Sequence, residues 1–93
     1  MSLFPDSDQV ESDIIHAMTR FAGKRVLEVG CGDGRLLRHY AHLAGAAVGL
    51  DPDPAEVSTA RNELPGVHFT LGEAQRLPFP DRSFDLVVFA WSL

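Results

Sequence analysis

The sequence has little cysteine, no long apolar run and no signal pattern, and each shortage excludes a class of protein. Cys31 is the only cysteine among the 93 residues, so no disulfide can form within the chain and a reducing compartment is the better expectation. No apolar stretch approaches the ~18 residues of a membrane-spanning helix, and residues 1–8 lack a basic-then-apolar signal pattern. We therefore expect a cytoplasmic protein without a membrane partner.

Clustered positive charge is also missing. The chain carries 13 Asp and Glu against 8 Lys and Arg, a formal net charge of −5. Proteins that bind a phosphate backbone need a basic patch or stripe, so this segment is not expected to bind nucleic acid. His39 and His42 could share a helix face, but the sequence offers them no third ligand, and no metal site is predicted.

The chain is long enough for one domain at most. Apolar strand candidates alternate with helical segments, which predicts a parallel sheet joined by right-handed crossovers. The predicted strands cover residues 25–29, 46–50, 67–71 and 84–90. The predicted helices run from Asp6 or Ser7 to Phe21, from 33 to 43, and from an Asp53 cap with Pro54 at its first position to about Leu64.

The segment from Val26 to Gly34, VLEVGCGDG, is the most informative. A buried strand is followed by glycines at alternate positions. Without side chains, these glycines let a ligand lie against the backbone, and they can adopt positive φ where the turn needs it. The following helix offers unpaired N–H groups. Glu28 precedes the first glycine by two residues. A carboxylate there disfavours a phosphate ligand and favours one that carries an ammonium group.

Asp51 directly follows the second predicted strand, where its carboxylate could accept hydrogen bonds from both ribose hydroxyls of a nucleoside. A nicotinamide dinucleotide site uses an acid in the same way, so Asp51 alone does not choose the cofactor. The glycine spacing does bear on the choice. Arg35 stands where the third glycine of a dinucleotide motif would fall, which disfavours an NAD-dependent oxidoreductase.

Taken together, this loop, the run AAVGLD at 46–51 and the run LGEAQRLPFPDRSFDLVV at 71–88 resemble class I S-adenosylmethionine-dependent methyltransferases, most closely the type-11 subgroup. The resemblance covers about 24–93. It implies a three-layer Rossmann-like α/β fold with helices on both faces and strand order 3-2-1-4, with further strands beyond the fourth. The chain is thus predicted to be the N-terminal half of such a domain over 24–93, with an N-terminal helix or lid over 1–23.

The resemblance also implies a cofactor, S-adenosylmethionine, with S-adenosylhomocysteine as product, and a set of contacts. Glu28 would face the methionine amino group, Asp51 the ribose hydroxyls and Glu73 the adenine amine, although most relatives have Asp at this last position. The complete predicted cofactor set is Glu28, Gly30, Cys31, Gly32, Gly34, Asp51, Pro52, Glu73, Ala74 and Ala90.

The predicted reaction is in-line transfer of the methyl group from the sulfonium to an acceptor, with a small molecule favoured. No catalytic residue is named, because the acceptor site of this family lies mostly in strands absent here, and the chain alone is expected to turn over little. Cys31 lacks a neighbouring His and is not predicted to be a nucleophile. The alternative is a non-catalytic cofactor-binding or self-associating module, since strand 84–90 would form an open apolar edge. Trp91 could line the acceptor pocket or pack under the rest of the fold.

Overall fold

The computed structural model describes residues 20–90. The predicted N-terminal helix therefore falls almost entirely outside the described residues, and Trp91 lies outside them as well. The elements, in chain order, are β1 (Arg25–Val29), α1 (Leu37–Tyr40), β2 (Ala46–Asp51), α2 (Pro54–Glu63), β3 (His68–Leu71) and β4 (Leu86–Phe89).

The four strands form one parallel sheet in the order β3-β2-β1-β4. This confirms the predicted α/β class and strand order. In the register, Val29 at the end of β1 pairs with Leu50 on one side and Phe89 on the other. From β1 the chain continues to β2 and β3 on one side of the sheet, whereas β4 lies on the other side of β1. The carboxyl end of β1 is therefore the topological switch point, where open α/β sheets bind ligands.

Both described helices cover the same face of the sheet. One core cluster joins Leu37 and Tyr40 of α1 with Val57 of α2 and Val26 of β1. Two successive right-handed crossovers that step the same way along a sheet place their helices on one side. On the opposite face, a second cluster of Leu27, Val29 and Leu50 is covered by Ala74, Phe79 and Phe84. Within residues 20–90, this second outer layer is therefore the β3–β4 connection rather than a helix.

Helix α1 is much shorter than the sequence predicted. The expected span was 33–43, but only Leu37–Tyr40 is α-helical. Gly34 has a φ of +90°, which a right-handed helix cannot contain, so the helix cannot begin before it. At the other end the N–H of Leu43 donates to the carbonyl of Tyr40 at 2.9 Å, a tighter three-residue bond. The prediction of a 33–43 helix was wrong for these reasons.

Helix α2 begins as predicted. Asp53 Oδ1 accepts a hydrogen bond from the N–H of Ala55 at 2.9 Å, and Pro54 occupies the first helical position. This acid cap followed by proline is a standard helix start. In the part of the chain from 20 to 90, no helix is both long and apolar enough to cross a membrane.

The remaining strand ends shift by one or two residues from the prediction. β2 extends to Asp51, β3 begins at His68, and β4 covers 86–89 rather than 84–90. Just before β4, Asp85 binds the first residue of β1. Its carboxylate accepts hydrogen bonds from the backbone N–H of Arg25 at 2.9 Å and from the Arg25 guanidinium at 3.2 Å. This pairing joins the start of β1 to the segment before β4 and gives Asp85 a structural role.

Candidate functional site

The glycine loop leaves β1 and is tied to β2 by its backbone. The N–H groups of Gly30 and Cys31 both donate to the carbonyl of Leu50, at 2.7 and 3.1 Å. Gly30, Gly32 and Gly34 all have positive φ, of 78°, 55° and 90°, as the sequence predicted for some of them. At Gly34 a Cβ would also lie 2.9 Å from Leu64 Cδ1. The loop therefore needs glycine for its turn, and a Cβ at Gly34 would in addition require the end of the Leu64 side chain to move.

Asp51, at the end of β2, connects the glycine loop to the start of α2. Its Oδ2 accepts a hydrogen bond from the N–H of Gly32 at 2.9 Å, and its Oδ1 accepts one from the N–H of Asp53 at 2.9 Å. The side chain is half-buried. Each carboxylate oxygen has a second lone pair, so Asp51 can hold the loop and still accept hydrogen bonds from a ligand.

Glu28 is the buried acid of the site. Its side chain is 0 % exposed, and Oε1 accepts a hydrogen bond from the Tyr40 hydroxyl at 2.7 Å. Oε2 is buried and has no hydrogen-bond partner among the described residues. Burial raises the pKa of Glu28 to about 7, although the hydrogen bond from Tyr40 acts in the opposite direction. A buried carboxyl group with a free oxygen is costly unless a partner is supplied.

Neither arginine that could have neutralised Glu28 does so. Arg25 pairs with Asp85, and Arg35 pairs with Asp33 at 3.2 Å. The hydrogen-bond partner of Glu28 is instead Tyr40. The partner for Oε2 must therefore come from outside the described residues, or the carboxyl group must stay protonated.

A cavity of about 340 Å³ opens at this edge of the sheet. It brings together six residues of the predicted cofactor set with four that were not predicted to contact the cofactor. The predicted ones are Glu28, Gly30, Cys31, Gly32, Asp51 and Ala90, and the others are Arg35, Leu36, Asp53 and Glu56. Ala90 is placed here because its N–H donates to the carbonyl of Val29 at 2.9 Å.

The other predicted residues do not line this cavity. Gly34 is buried behind the loop, against Leu64. Pro52 is exposed, and Ala74 packs on the second core cluster. Glu73 lies in a separate shallow cavity, although the N–H of Gly72 bonds to the carbonyl of Asp51 at 3.2 Å and brings that turn to the same edge.

Tyr40 contacts the site through Glu28, and it is a residue that the sequence analysis did not single out. One signal could have found it. It is the only tyrosine in the chain, and a hydroxyl placed in a predicted core needs a polar partner. Glu28, on the adjacent buried strand, was the available acceptor.

Cys31 is a buried, protonated thiol. Burial, followed by the negative charges of Glu28 and Asp51, raises the pKa of Cys31 to about 12. The sulfur is packed closely enough that a Cβ on Gly49 would lie 2.8 Å from it. A nucleophilic cysteine needs the opposite environment. Among the described residues, no group of three or more His, Cys, Asp or Glu side chains could hold a metal ion.

The comparisons with known proteins agree with this geometry. The family described as "Methyltransferase domain" matches residues 26–93, and the chain belongs to that family. Among characterised relatives, it is 43 % identical over 72 residues to the phthiotriol/phenolphthiotriol dimycocerosates methyltransferase of Mycobacterium leprae, covering 72 % of this chain and 26 % of the relative. It is 41 % identical over 70 residues to the fatty-acid O-methyltransferase of Mycolicibacterium smegmatis, covering 71 % and 26 %.

A solved structure extends the likeness to the fold. CalS10 of Micromonospora echinaspora, an amino pentose methyltransferase with S-adenosylmethionine bound, superposes with a TM-score of 0.69 at 31 % identity, covering 98 % of this chain and 37 % of that one. The class I Rossmann-like fold is thereby confirmed. The chain spans about a quarter of the length of the two mycobacterial relatives.

Proposed function

We propose that this chain supplies the cofactor-binding part of an S-adenosylmethionine-dependent methyltransferase. The observation that carries the proposal is the buried Glu28 carboxyl group, whose Oε2 has no hydrogen-bond partner among residues 20–90. Glu28 lines the cavity at the switch point of the sheet. A ligand with an ammonium group would complete this carboxylate, and the methionine part of S-adenosylmethionine has one.

The charge of the cavity supports a cationic ligand over a phosphate-bearing one. Glu28, Asp51, Asp53 and Glu56 line it, against Arg35. Such a surface attracts the sulfonium and ammonium of S-adenosylmethionine and repels the pyrophosphate of a dinucleotide. The residues present therefore fit S-adenosylmethionine better than NAD.

The remaining cofactor contacts are proposed from the family and from position. Backbone of Gly30, Cys31 and Gly32 would lie along the methionine and ribose, and Asp51 would accept the ribose hydroxyls. Ala90 would lie near the sulfonium. Pro52, directly after β2, and Glu73 and Ala74, in the turn after β3, would approach the adenine. Gly34 would act by letting the loop pack against α2.

The cofactor supplies an activated methyl group, and this chain's residues bind and orient it. The acceptor proposed is a small molecule. The name of the Mycolicibacterium smegmatis relative, a fatty-acid O-methyltransferase, supports that class, and the net charge of −5 gives no support to a nucleic acid. A cytoplasmic location is proposed from the single, unpaired cysteine.

Calorimetric titration of S-adenosylhomocysteine into the chain, with NAD as the control ligand, tests the proposal. We expect S-adenosylhomocysteine to bind and NAD not to bind. Asp51→Asn keeps the side-chain shape but removes the charge, and we expect roughly ten- to hundredfold weaker binding, because hydrogen bonds to a charged group contribute about 1.5–3 kcal/mol.

Glu63→Gln is the matched control, since it makes the same change of charge on an exposed residue of α2 outside the cavity. We expect it to bind like the parent chain. Preference for NAD, or equal losses in the two variants, would contradict the proposed site.

The alternative, a non-catalytic module that self-associates, has one specific observation behind it. β4 is an edge strand of the described sheet, and Val87 and Phe89 on it are 44 % and 58 % exposed. We propose a second copy of the chain as the occupant of this edge, through residues 84–90. Light scattering at tens of micromolar should show a dimer or larger species that Val87→Lys disperses. A monomer in the parent chain would contradict self-association.

A further inference from the structure

We propose that Tyr40 is a positioning residue for Glu28, and that binding of the cofactor's amino group releases the proton that the Glu28 carboxyl carries in the free site. This inference rests on the proposed function and goes beyond it, because it assigns a role to a residue outside the cavity lining. It also couples cofactor affinity to pH.

The geometry gives Tyr40 little freedom. Its ring is 2 % exposed and stacks on Phe21 with ring centroids 4.3 Å apart and an interplanar angle of 29°. Its hydroxyl donates to Glu28 Oε1 at 2.7 Å. Because a carboxyl group is planar, fixing Oε1 fixes the direction of Oε2 as well. The stacked ring therefore holds Glu28 in one orientation, with its second oxygen buried and without a hydrogen-bond partner among the described residues.

The groups around Glu28 do not neutralise it. Its strand neighbours in the register are Gly49 of β2 and Val88 of β4, neither of which is charged. From the loop and from β2, the Cys31 thiol and the Asp51 carboxylate contribute no positive charge. Asp53 and Glu56, from the start of α2, add negative charge.

Arg35 is the cationic residue of the cavity lining, and its ion pair is with Asp33 rather than with Glu28. Its guanidinium is exposed. Burial without a cation favours the neutral acid and raises the pKa of Glu28 to about 7. The pKa of Tyr40 is also raised, by burial and by the charge of Glu28, so its hydroxyl stays a donor.

The proton balance follows directly. In the free site near neutral pH, part of the Glu28 carboxyl groups carry a proton, because burial raises the pKa of Glu28 to about 7. An ammonium group brought to Oε2 favours the carboxylate, and the carboxyl proton passes to the buffer. Affinity should therefore fall as the pH drops below 7, and no other reactant is required.

The test is calorimetry with S-adenosylhomocysteine in two buffers of different ionisation enthalpy, from pH 6 to pH 8. We expect proton release on binding that is greatest at pH 6 and declines towards pH 8. Methylthioadenosine is the control ligand, since it keeps the adenine and ribose but lacks the amino-acid part and therefore the aliphatic ammonium group. Its binding should release no proton.

Two variants separate positioning from packing. Glu28→Gln keeps the shape but cannot titrate, so proton release should disappear. Tyr40→Phe keeps the stacked ring but removes the hydrogen bond that lowers the pKa of Glu28. The midpoint of the pH dependence should then move to higher pH, and affinity for S-adenosylhomocysteine at pH 7 should fall several-fold, with methylthioadenosine unaffected. Circular dichroism verifies that each variant is folded.

The outcomes distinguish this inference from the proposed function. If the folded chain binds neither ligand, the proposed function fails. If it binds both but releases no proton, or if Tyr40→Phe leaves the pH profile unchanged, the role of Tyr40 and Glu28 is overturned while the cofactor site stands. Should Tyr40→Phe fail to fold, loss of proton release in Glu28→Gln still decides the proton linkage.

Discussion

The two ends of the β1–β4 pair treat their carboxylates in opposite ways. At the amino end, Asp85 is exposed and paired with Arg25, which holds the pKa of Asp85 below its usual value through hydrogen bonds. At the carboxyl end, Glu28 is fully buried without a cation, and burial raises its pKa. A carboxylate that the protein itself neutralises supports the fold. One that the protein leaves incomplete is available for a ligand.

The largest expected effect is on the pH dependence of stability. Because the pKa of Glu28 is raised from 4.5 to about 7 in the folded chain, the folded state binds the proton more tightly, and stability falls as the pH rises through 7. Without cofactor, the free energy of unfolding should drop by about 2 to 3 kcal/mol between pH 5 and pH 8.

Glu28→Gln should remove that drop, since the amide does not titrate. Urea denaturation of the parent chain and the variant at both pH values measures it, and the difference between the two proteins cancels the contribution of other titrating groups. Parallel pH profiles would show that Glu28 is ionised throughout, and the contrast between the two ends would be lost.

The next effect concerns the glycine loop, which shapes the carboxyl end without carrying charge. Gly34→Ala introduces a Cβ at φ +90°, 2.9 Å from Leu64 Cδ1. We expect a loss of roughly 1–3 kcal/mol in the free energy of unfolding, with no change in its pH dependence. Gly66→Ala is the matched control, because a Cβ there meets no atom within 4 Å. Equal, small losses in both variants would show that the loop tolerates side chains.

The smallest effect is expected at the amino end. The Arg25–Asp85 pair is exposed, with side-chain exposures of 53 % and 42 %, and water and salt screen such pairs. The pair stabilises the folded state at pH values above the pKa that Asp85 has in the unfolded chain. This stabilisation is lost as the pH falls through the lower pKa that Asp85 has in the folded chain. Asp85→Asn should therefore lower the melting temperature only slightly at pH 7.

The same variant should flatten the acid limb of the stability profile below pH 4, and leave binding of S-adenosylhomocysteine unchanged. Weakened binding would mean that the two ends of the strand pair are coupled. Thermal melts across the acid range and one titration at pH 7 are sufficient to decide this.

The fold was largely predictable because its signals are local. The apolar runs, the glycine loop and the Asp53–Pro54 cap are each readable within a few residues, and the family resemblance supplied the strand order. The length of α1 was not predictable in this way. Its apolar spacing indicated a helix from 33, but the left-handed backbone at Gly34 excludes one, and apolar spacing does not report the φ of a glycine.

The site was predictable in composition but not in its connections. Glu28 and Asp51 were identified from their places at the ends of strands. Their actual partners, the Tyr40 hydroxyl and the N–H of Gly32, join segments that the fold brings together across the sheet. No periodicity in the sequence reports such a contact. The cofactor roles of these residues stay predictions until binding is measured.

The position of Asp51 has a consequence for the thermodynamics of binding. Its carboxylate connects the glycine loop, the end of β2 and the start of α2 through the N–H groups of Gly32 and Asp53. The three segments are thus already ordered before a ligand arrives. A nucleoside that enters this edge would immobilise little additional backbone, so most of the conformational entropy associated with the site is lost during folding rather than during binding.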